Sequence, residues 1–176
     1  VNEQVITLGG GCFWCVEAVF ELVDGVTAVE SGYSNGHVVA PSYEQVCGGD
    51  TGHAEVVRVS FDAARISLRE VLEIFFHVHD PTTLNRQGND AGTQYRSAIY
   101  WSDPAHEAVA QAVLAEANAA HGGRVVTELL PLAQYSRAEA YHQHYFANHP
   151  GQGYCAHVVA PKVEKFRRSF QARVKG

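Results

Sequence analysis

An α+β fold, an α/β sandwich with a mixed and mainly antiparallel sheet, is what this sequence predicts, on three observations. Apolar runs of strand and helix character follow one another as β-α-β-β-α-β-α-β-α. The second and third strands have no helix between them, so the elements are segregated rather than strictly alternating and a split βαβ arrangement fits. The 176 residues show no linker, repeat or low-complexity tract, which predicts a single domain over residues 1–176.

Val5-Ile6-Thr7-Leu8, bounded by glycines, is the first strand. Gly9-Gly10-Gly11 turns the chain into a helix whose Phe13, Val16, Val19, Phe20 and Val23 share a face, with Gly25 as its stop. Val26–Tyr33 alternates as a strand does, Ser34–Ser42 is turn-rich, and His53–Phe61 alternates again. Ser67 and Glu70 form a capping-box pattern ahead of a helix over Leu68–Val78, which Pro81 stops. Thr82 to Tyr95 is polar and aperiodic, a long loop of the kind that often carries function. Ser97–Trp101 is a strand, Asp103-Pro104 opens an alanine-rich helix to Ala120, and Val125–Leu130 is a further strand. Ala138–Asn148 is expected to be helical, residues 149–160 to be a flexible glycine-containing segment, and Lys162–Arg173 to be the last helix.

Composition narrows the function. The net charge of −6 and the lack of a basic stripe disfavour nucleic acid and anionic membrane, and Lys162–Lys175 is expected to be one solvated helix face. No apolar run reaches membrane-spanning length and no signal peptide is visible, although the chain starts on Val1 rather than Met. Cys12, Cys15, Cys47 and Cys155 are too few and scattered for a disulfide framework, so a cytoplasmic, reducing setting with redox-active thiols is expected, and a monomer with them.

Cys12 falls at the first turn of the first helix, where free N–H groups and the helix dipole favour a thiolate. A reactive thiol of lowered pKa is therefore expected, against the plainer alternative of a buried structural cysteine. Phe13 and Trp14 set two aromatic rings beside it, suited to a small apolar group such as a thioether methyl. Glu55, between Ala54 and Val56-Val57, is a carboxyl whose pKa rises if it is buried; an exposed position on an alternating strand is the alternative. Tyr43, Asp90 and Tyr95 stand in polar loop segments, where on pattern alone they are half-buried aromatics and a turn residue. Cys47 is expected to be a small buried residue. The pairs His77-x-His79 and His142-x-His144 do not have a zinc spacing, so no metal and no cofactor is expected.

Gly11-Cys12-Phe13-Trp14, Gly52-His53-Ala54-Glu55 and the block Gly88-Asn89-Asp90-Ala91-Gly92-Thr93-Gln94-Tyr95-Arg96-Ser97 resemble, in that order, the A-type peptide methionine sulfoxide reductases. The resemblance runs from Gly11 to Cys155 and implies a ferredoxin-like core. It also implies a reductase that returns methionine S-sulfoxide, free or in peptides and proteins, to methionine. Implied roles are Cys12 as nucleophile, Glu55 as proton donor, Tyr43 and Tyr95 as donors to the sulfoxide oxygen, Phe13, Trp14 and Asp90 as substrate-binding groups, and Cys155 as resolving thiol. Thioredoxin or a similar dithiol is the implied reductant. The family accepts Cys as well as Gly at position 15. A thioredoxin-like thiol–disulfide oxidoreductase using Cys12 and Cys15 is the alternative, distinguished by reduction of insulin-type disulfides that depends on Cys15.

Overall fold

The structure is a computed structural model that describes residues 3–38, 40–49, 51–88 and 90–175. Asn89, which belongs to the Gly88–Ser97 block above, lies outside the described residues. Strand β1 (Glu3–Gly9) leads through the glycine turn into α1 (Phe13–Phe20), followed by β2 (Val26–Ser34), the short α2 (Tyr43–Cys47), β3 (Ala54–Asp62) and α3 (Leu68–Val78). A two-residue pair, β4 (Arg86–Gln87) and β5 (Asp90–Ala91), precedes β6 (Ala98–Trp101), α4 (Ala105–Ala120), β7 (Glu128–Pro131), β8 (Ser136–Arg137), α5 (Tyr145–Asn148) and α6 (Ala160–Ser169).

The main sheet has the order β7-β6-β1-β3-β2-β8. Every neighbour is antiparallel except β6 with β7. Its four central strands are two interleaved βαβ units, β1-α1-β2 around β3 and β3-α3-β6 around β1, which is the ferredoxin-like arrangement. Most of the core lies on the face covered by α1, α3 and α6, where Leu8, Phe20, Val59, Leu72 and Phe166 are fully buried. A smaller cluster of Ala54, Val56, Ala98 and Tyr100 occupies the other face, covered by Leu132 and Tyr135. Strands with both faces covered need near-continuous apolar runs, and β3 reads that way: only Arg58 of its nine residues is exposed.

Helix starts follow the sequence. Ser67 and Glu70 form the full capping box at α3. The same box, from Ser42 and Gln45, starts α2, a turn of helix that hydrophobic periodicity does not show because five residues are too few to display a period. The aperiodic loop from Thr82 contains the β4–β5 pair and a 3₁₀ turn at Thr93–Tyr95.

One helix expectation is overturned. Ala138–Asn148 is not continuous: it holds a 3₁₀ turn at Ala140–His142, then His144 in the left-handed region (φ 55°), then the single turn of α5. The cause is Gln143, whose side-chain amide accepts from the Ser31 N–H at 2.9 Å and donates to the Ser31 carbonyl at 2.9 Å. The amide thus extends the edge of β2 beyond β8, and a regular helix could not bring Gln143 and its buried neighbour His142 inward together. At the other end, Cys155–Val159 forms a π-helical turn that runs directly into α6.

Candidate active site

The glycine turn fixes where Cys12 points. Gly11 has φ +93°, and a Cβ there would meet Gln87 Cγ at 2.6 Å, so only glycine allows the β4 side chain to pack on the turn. Cys12 is the N-cap residue of α1 and is 6% exposed. Its side chain caps nothing, and the Cys15 N–H donates to the Cys12 carbonyl at 3.1 Å.

The expectation of a lowered Cys12 pKa is not met in this resting arrangement. Burial pushes the Cys12 thiol well above its usual range, its hydrogen bond to Cys15 adds to that, and the charge of Glu55 opposes ionisation further. The Trp14 amide acts the other way but is outweighed. Cys15, buried beside it, is the lowered thiol of the pair, first because of the hydrogen bond from Cys12 and then through Lys162 and Tyr154. Sequence alone placed Cys12 at a helix start but not under a covering of side chains, and desolvation decides the sign.

Glu55 on β3 is 1% exposed, directly opposite Tyr33 of β2. Burial raises its pKa to about 8, although the Phe13 N–H donates to its Oε1 at 3.2 Å and pulls the other way. Its Oε2 is buried with no protein partner. The carboxyl is therefore mainly protonated at neutral pH and has one oxygen uncommitted.

Tyr43, at the start of α2, and Tyr95, at the end of the 3₁₀ turn, both have hydroxyls whose ionisation is disfavoured by burial and then by the charge of Glu55. Both therefore remain donors. Tyr43 stacks at 6.2 Å on Phe13, and its N–H donates at 3.0 Å to Glu139, which also accepts from Tyr33 Oη at 2.8 Å. Phe13 is fully buried among Tyr33, Tyr43 and His142. Trp14 is only half-buried; it stacks on Tyr145 at 3.9 Å and donates from Nε1 to His142 Nδ1 at 3.1 Å. Asp90 of β5 accepts from Tyr154 Oη at 2.5 Å, and that hydroxyl also lies 3.9 Å from Cys15 Sγ. Cys155, the next residue, is completely buried.

His142, Tyr145, Tyr154 and Glu139 therefore belong to the site and were not singled out in the sequence for it. Tyr154 is the sequence neighbour of Cys155, and His142 enters the sequence pattern only as half of a His-x-His pair. Cys47 is exposed, contrary to the expectation of burial, because α2 ends there at the surface. The other His-x-His pair is structural: His79 bonds the Phe75 carbonyl and Ser97, and His77 bonds Ser169. Among the described residues, Glu17, Glu21 and His144 bring potential ligand atoms within 4.8 Å. Glu17 there already accepts from Ser31 Oγ and the Tyr145 N–H.

A buried thiol at a helix start, next to a protonated carboxyl and two tyrosine donors, belongs to an enzyme that attacks with sulfur and must deliver a proton to what leaves. On this split βαβ frame the class is a thiol-dependent oxidoreductase. The family model for peptide methionine sulfoxide reductase matches residues 4–174. The chain is 52% identical to a peptide methionine sulfoxide reductase MsrA of Saccharolobus solfataricus, over 98% of this chain and 97% of that one. It is 54% identical to the MsrA of Ralstonia nicotianae, over 97% and 93% respectively. Among solved structures it resembles reduced Mxr1 of Saccharomyces cerevisiae with a TM-score of 0.81 and 36% identity, covering 88% of this chain and 90% of that one. It also resembles Mxr1 in complex with Trx2, with a TM-score of 0.58 and 25% identity over 82% of this chain and 85% of that one.

The chain belongs to the peptide methionine sulfoxide reductase family, and it is a thiol-dependent reductase of methionine sulfoxide. No helix among the described residues is long and apolar enough to cross a membrane.

Trp14 offers the partly open aromatic face beside Cys12. Trp14→Ala is expected to raise KM for dimethyl sulfoxide and for methionine sulfoxide alike, by roughly tenfold, because both present a methyl group to that face. Steady-state kinetics with the two substrates checks this, and a loss confined to peptides places Trp14 at a backbone contact instead.

Proposed function

We propose that the chain reduces methionine S-sulfoxide, free and within proteins, with Cys12 as nucleophile and Glu55 as proton donor. One observation carries this assignment: the Glu55 carboxyl is buried, raised to about 8, and holds an oxygen without a protein partner. Oxide is a very poor leaving group, so sulfoxide reduction needs a group that still holds a proton near neutral pH.

Two effects then work together. While Glu55 is neutral, its charge no longer opposes ionisation of Cys12, so the same protonation state serves the acid and the nucleophile. Tyr43 and Tyr95 keep their protons and donate to the sulfoxide oxygen. Trp14, with Phe13 packed beneath the aromatic cluster, receives the methyl group, and Asp90 orients the substrate. The Cys12 sulfur attacks the sulfoxide sulfur, the oxygen passes to Cys12 with proton delivery from Glu55, and methionine departs. Cys12 is left as a sulfenic acid.

A second thiol then displaces water to give a disulfide, and a dithiol exchanges with it to restore both thiols. Cys155 is the resolving thiol in this proposal. It is buried in a helical turn, so residues 149–160 must unwind to bring it to Cys12. That step requires residues 149–160 to be mobile, on a single catalytic domain over 1–176. The complex of Mxr1 with Trx2 supports a thioredoxin as reductant. Four free thiols support a reducing compartment, and the cytoplasm is the one proposed.

The test is single-turnover formation of methionine from each sulfoxide epimer, followed by peptide mapping of the cysteines. In Cys155→Ser, one equivalent of methionine is expected, because reduction precedes resolution, while thioredoxin-dependent cycling falls sharply. A dominant Cys12–Cys15 bridge in the unaltered protein, with Cys155→Ser cycling normally, sinks the assignment of Cys155. The mutual influence of the Cys12 and Cys15 thiols on each other's ionisation makes that pair the specific competitor.

A further inference from the structure

A cleft of about 950 Å³ lies between α3, α6 and the β4–β5 pair. Its walls join the Cys12 site in two places. Gln87 packs on Gly11 of the nucleophile's turn, and Tyr154, which bonds Asp90, sets its ring edge-on to Trp14 at 5.8 Å. Lys162, Lys165 and Arg124 also line it, and none of the three pairs with a carboxylate among the described residues. Two carboxylates share the cleft, Asp80 bonded by Thr82 and Asp90 bonded by Tyr154, so the three cations outnumber them by one. In a chain of net charge −6 this is a local excess of positive charge.

We infer that the cleft holds the polypeptide flanking an oxidised methionine and selects substrates with acidic residues near the methionine sulfoxide. The inference rests on the assignment of methionine sulfoxide to the Cys12 site. An extended acidic segment leaving that site along Tyr154 and Gln87 meets three unpaired cations. Charge complementarity with these cations makes an acidic polypeptide the occupant that fits.

The test compares methionine S-sulfoxide peptides carrying Glu or Lys two to four residues to either side of it, with free methionine S-sulfoxide as reference. The expected result is a KM roughly three- to tenfold lower for a Glu-flanked peptide than for its Lys counterpart, a difference that 0.5 M salt removes. In the double variant Lys165→Glu/Arg124→Glu the preference should vanish or invert, while turnover of the free amino acid stays unchanged and so reports a folded enzyme. Lys162 is left in place because its charge also lowers the Cys15 pKa. Equal KM values in the unaltered protein, or a preference that survives the double variant, overturn the inference. So does slower thioredoxin-dependent recycling with peptide preference intact, which would make the cleft the reductant's seat. Failure on free methionine S-sulfoxide in the unaltered protein brings down the assignment of the Cys12 site, and this inference with it.

Discussion

Cys12→Ser is expected to form no methionine, a loss of at least about 10⁴-fold in single turnover, because an alcohol has neither the nucleophilicity nor the accessible anion of a thiol. Burial already holds the thiol above its usual pKa, and a serine hydroxyl in that place has no route to an alkoxide. Collapse of the fold cannot account for such a loss. Cys12 occupies the N-cap of α1 without capping it, and serine is among the best N-cap residues. The variant should therefore unfold within about 1 kcal/mol of the unaltered protein, on the stable side if the new hydroxyl bonds the first turn. Denaturant melts beside the single-turnover assay separate the two effects. Methionine formed at an unaltered rate removes Cys12 from the mechanism.

Glu55→Gln carries the next largest effect. The amide can hydrogen-bond the sulfoxide oxygen but cannot give up a proton, so the chemical step should slow by roughly 10²–10⁴ at neutral pH. The pH profile gives a second readout. With its pKa raised to about 8, the acid form predominates below that value, so the unaltered rate should fall as pH rises through about 8, and the variant should lack that limb. Stability follows the same sign. The folded carboxyl binds its proton more tightly than the unfolded one, whose ordinary value is 4.5. Its contribution is complete below about 4.5 and is lost as pH rises through about 8. Glu55→Gln should flatten that slope, giving a protein relatively more stable in alkali and much less active. A rate unchanged by the substitution would exclude Glu55 as the donor.

Most of the frame was legible because it is written in local signals. The apolar run of β3, the box at Ser67–Glu70 and the glycines ahead of Cys12 each depend on residues a few positions apart. What escaped was set by distant contacts. Gln143 breaks an expected helix because its amide is needed by Ser31, 112 positions earlier. The raised Cys12 pKa depends on how deeply the turn is covered, which no helix-start pattern encodes. Tyr145 and His142 reach Trp14 across 131 and 128 positions, so their place at the site is a property of the fold. Glu55 was readable only as a carboxyl between apolar neighbours; its burial comes from the cover that the start of α1 lays over that face of the sheet.

The last described residues are tied to the segment after α1 and to α3. The Asp24 N–H donates to the Arg173 carbonyl, Lys175 N–H donates to the Leu22 carbonyl, and the Arg173 guanidinium pairs with Glu70. With Tyr145 stacked on Trp14 and its N–H donating to Glu17, the stretch that carries Cys155 is a span held at both ends. To carry Cys155 to Cys12, as proposed, it would buckle at its middle, with slack drawn from the π-helical turn while the far anchor stays put. Amide exchange should therefore divide sharply within this one segment, rapid around the buckle and slow at the knot. Cutting the knot by trimming the chain before Arg173 would trade that guided arc for a wider, less directed search by the thiol.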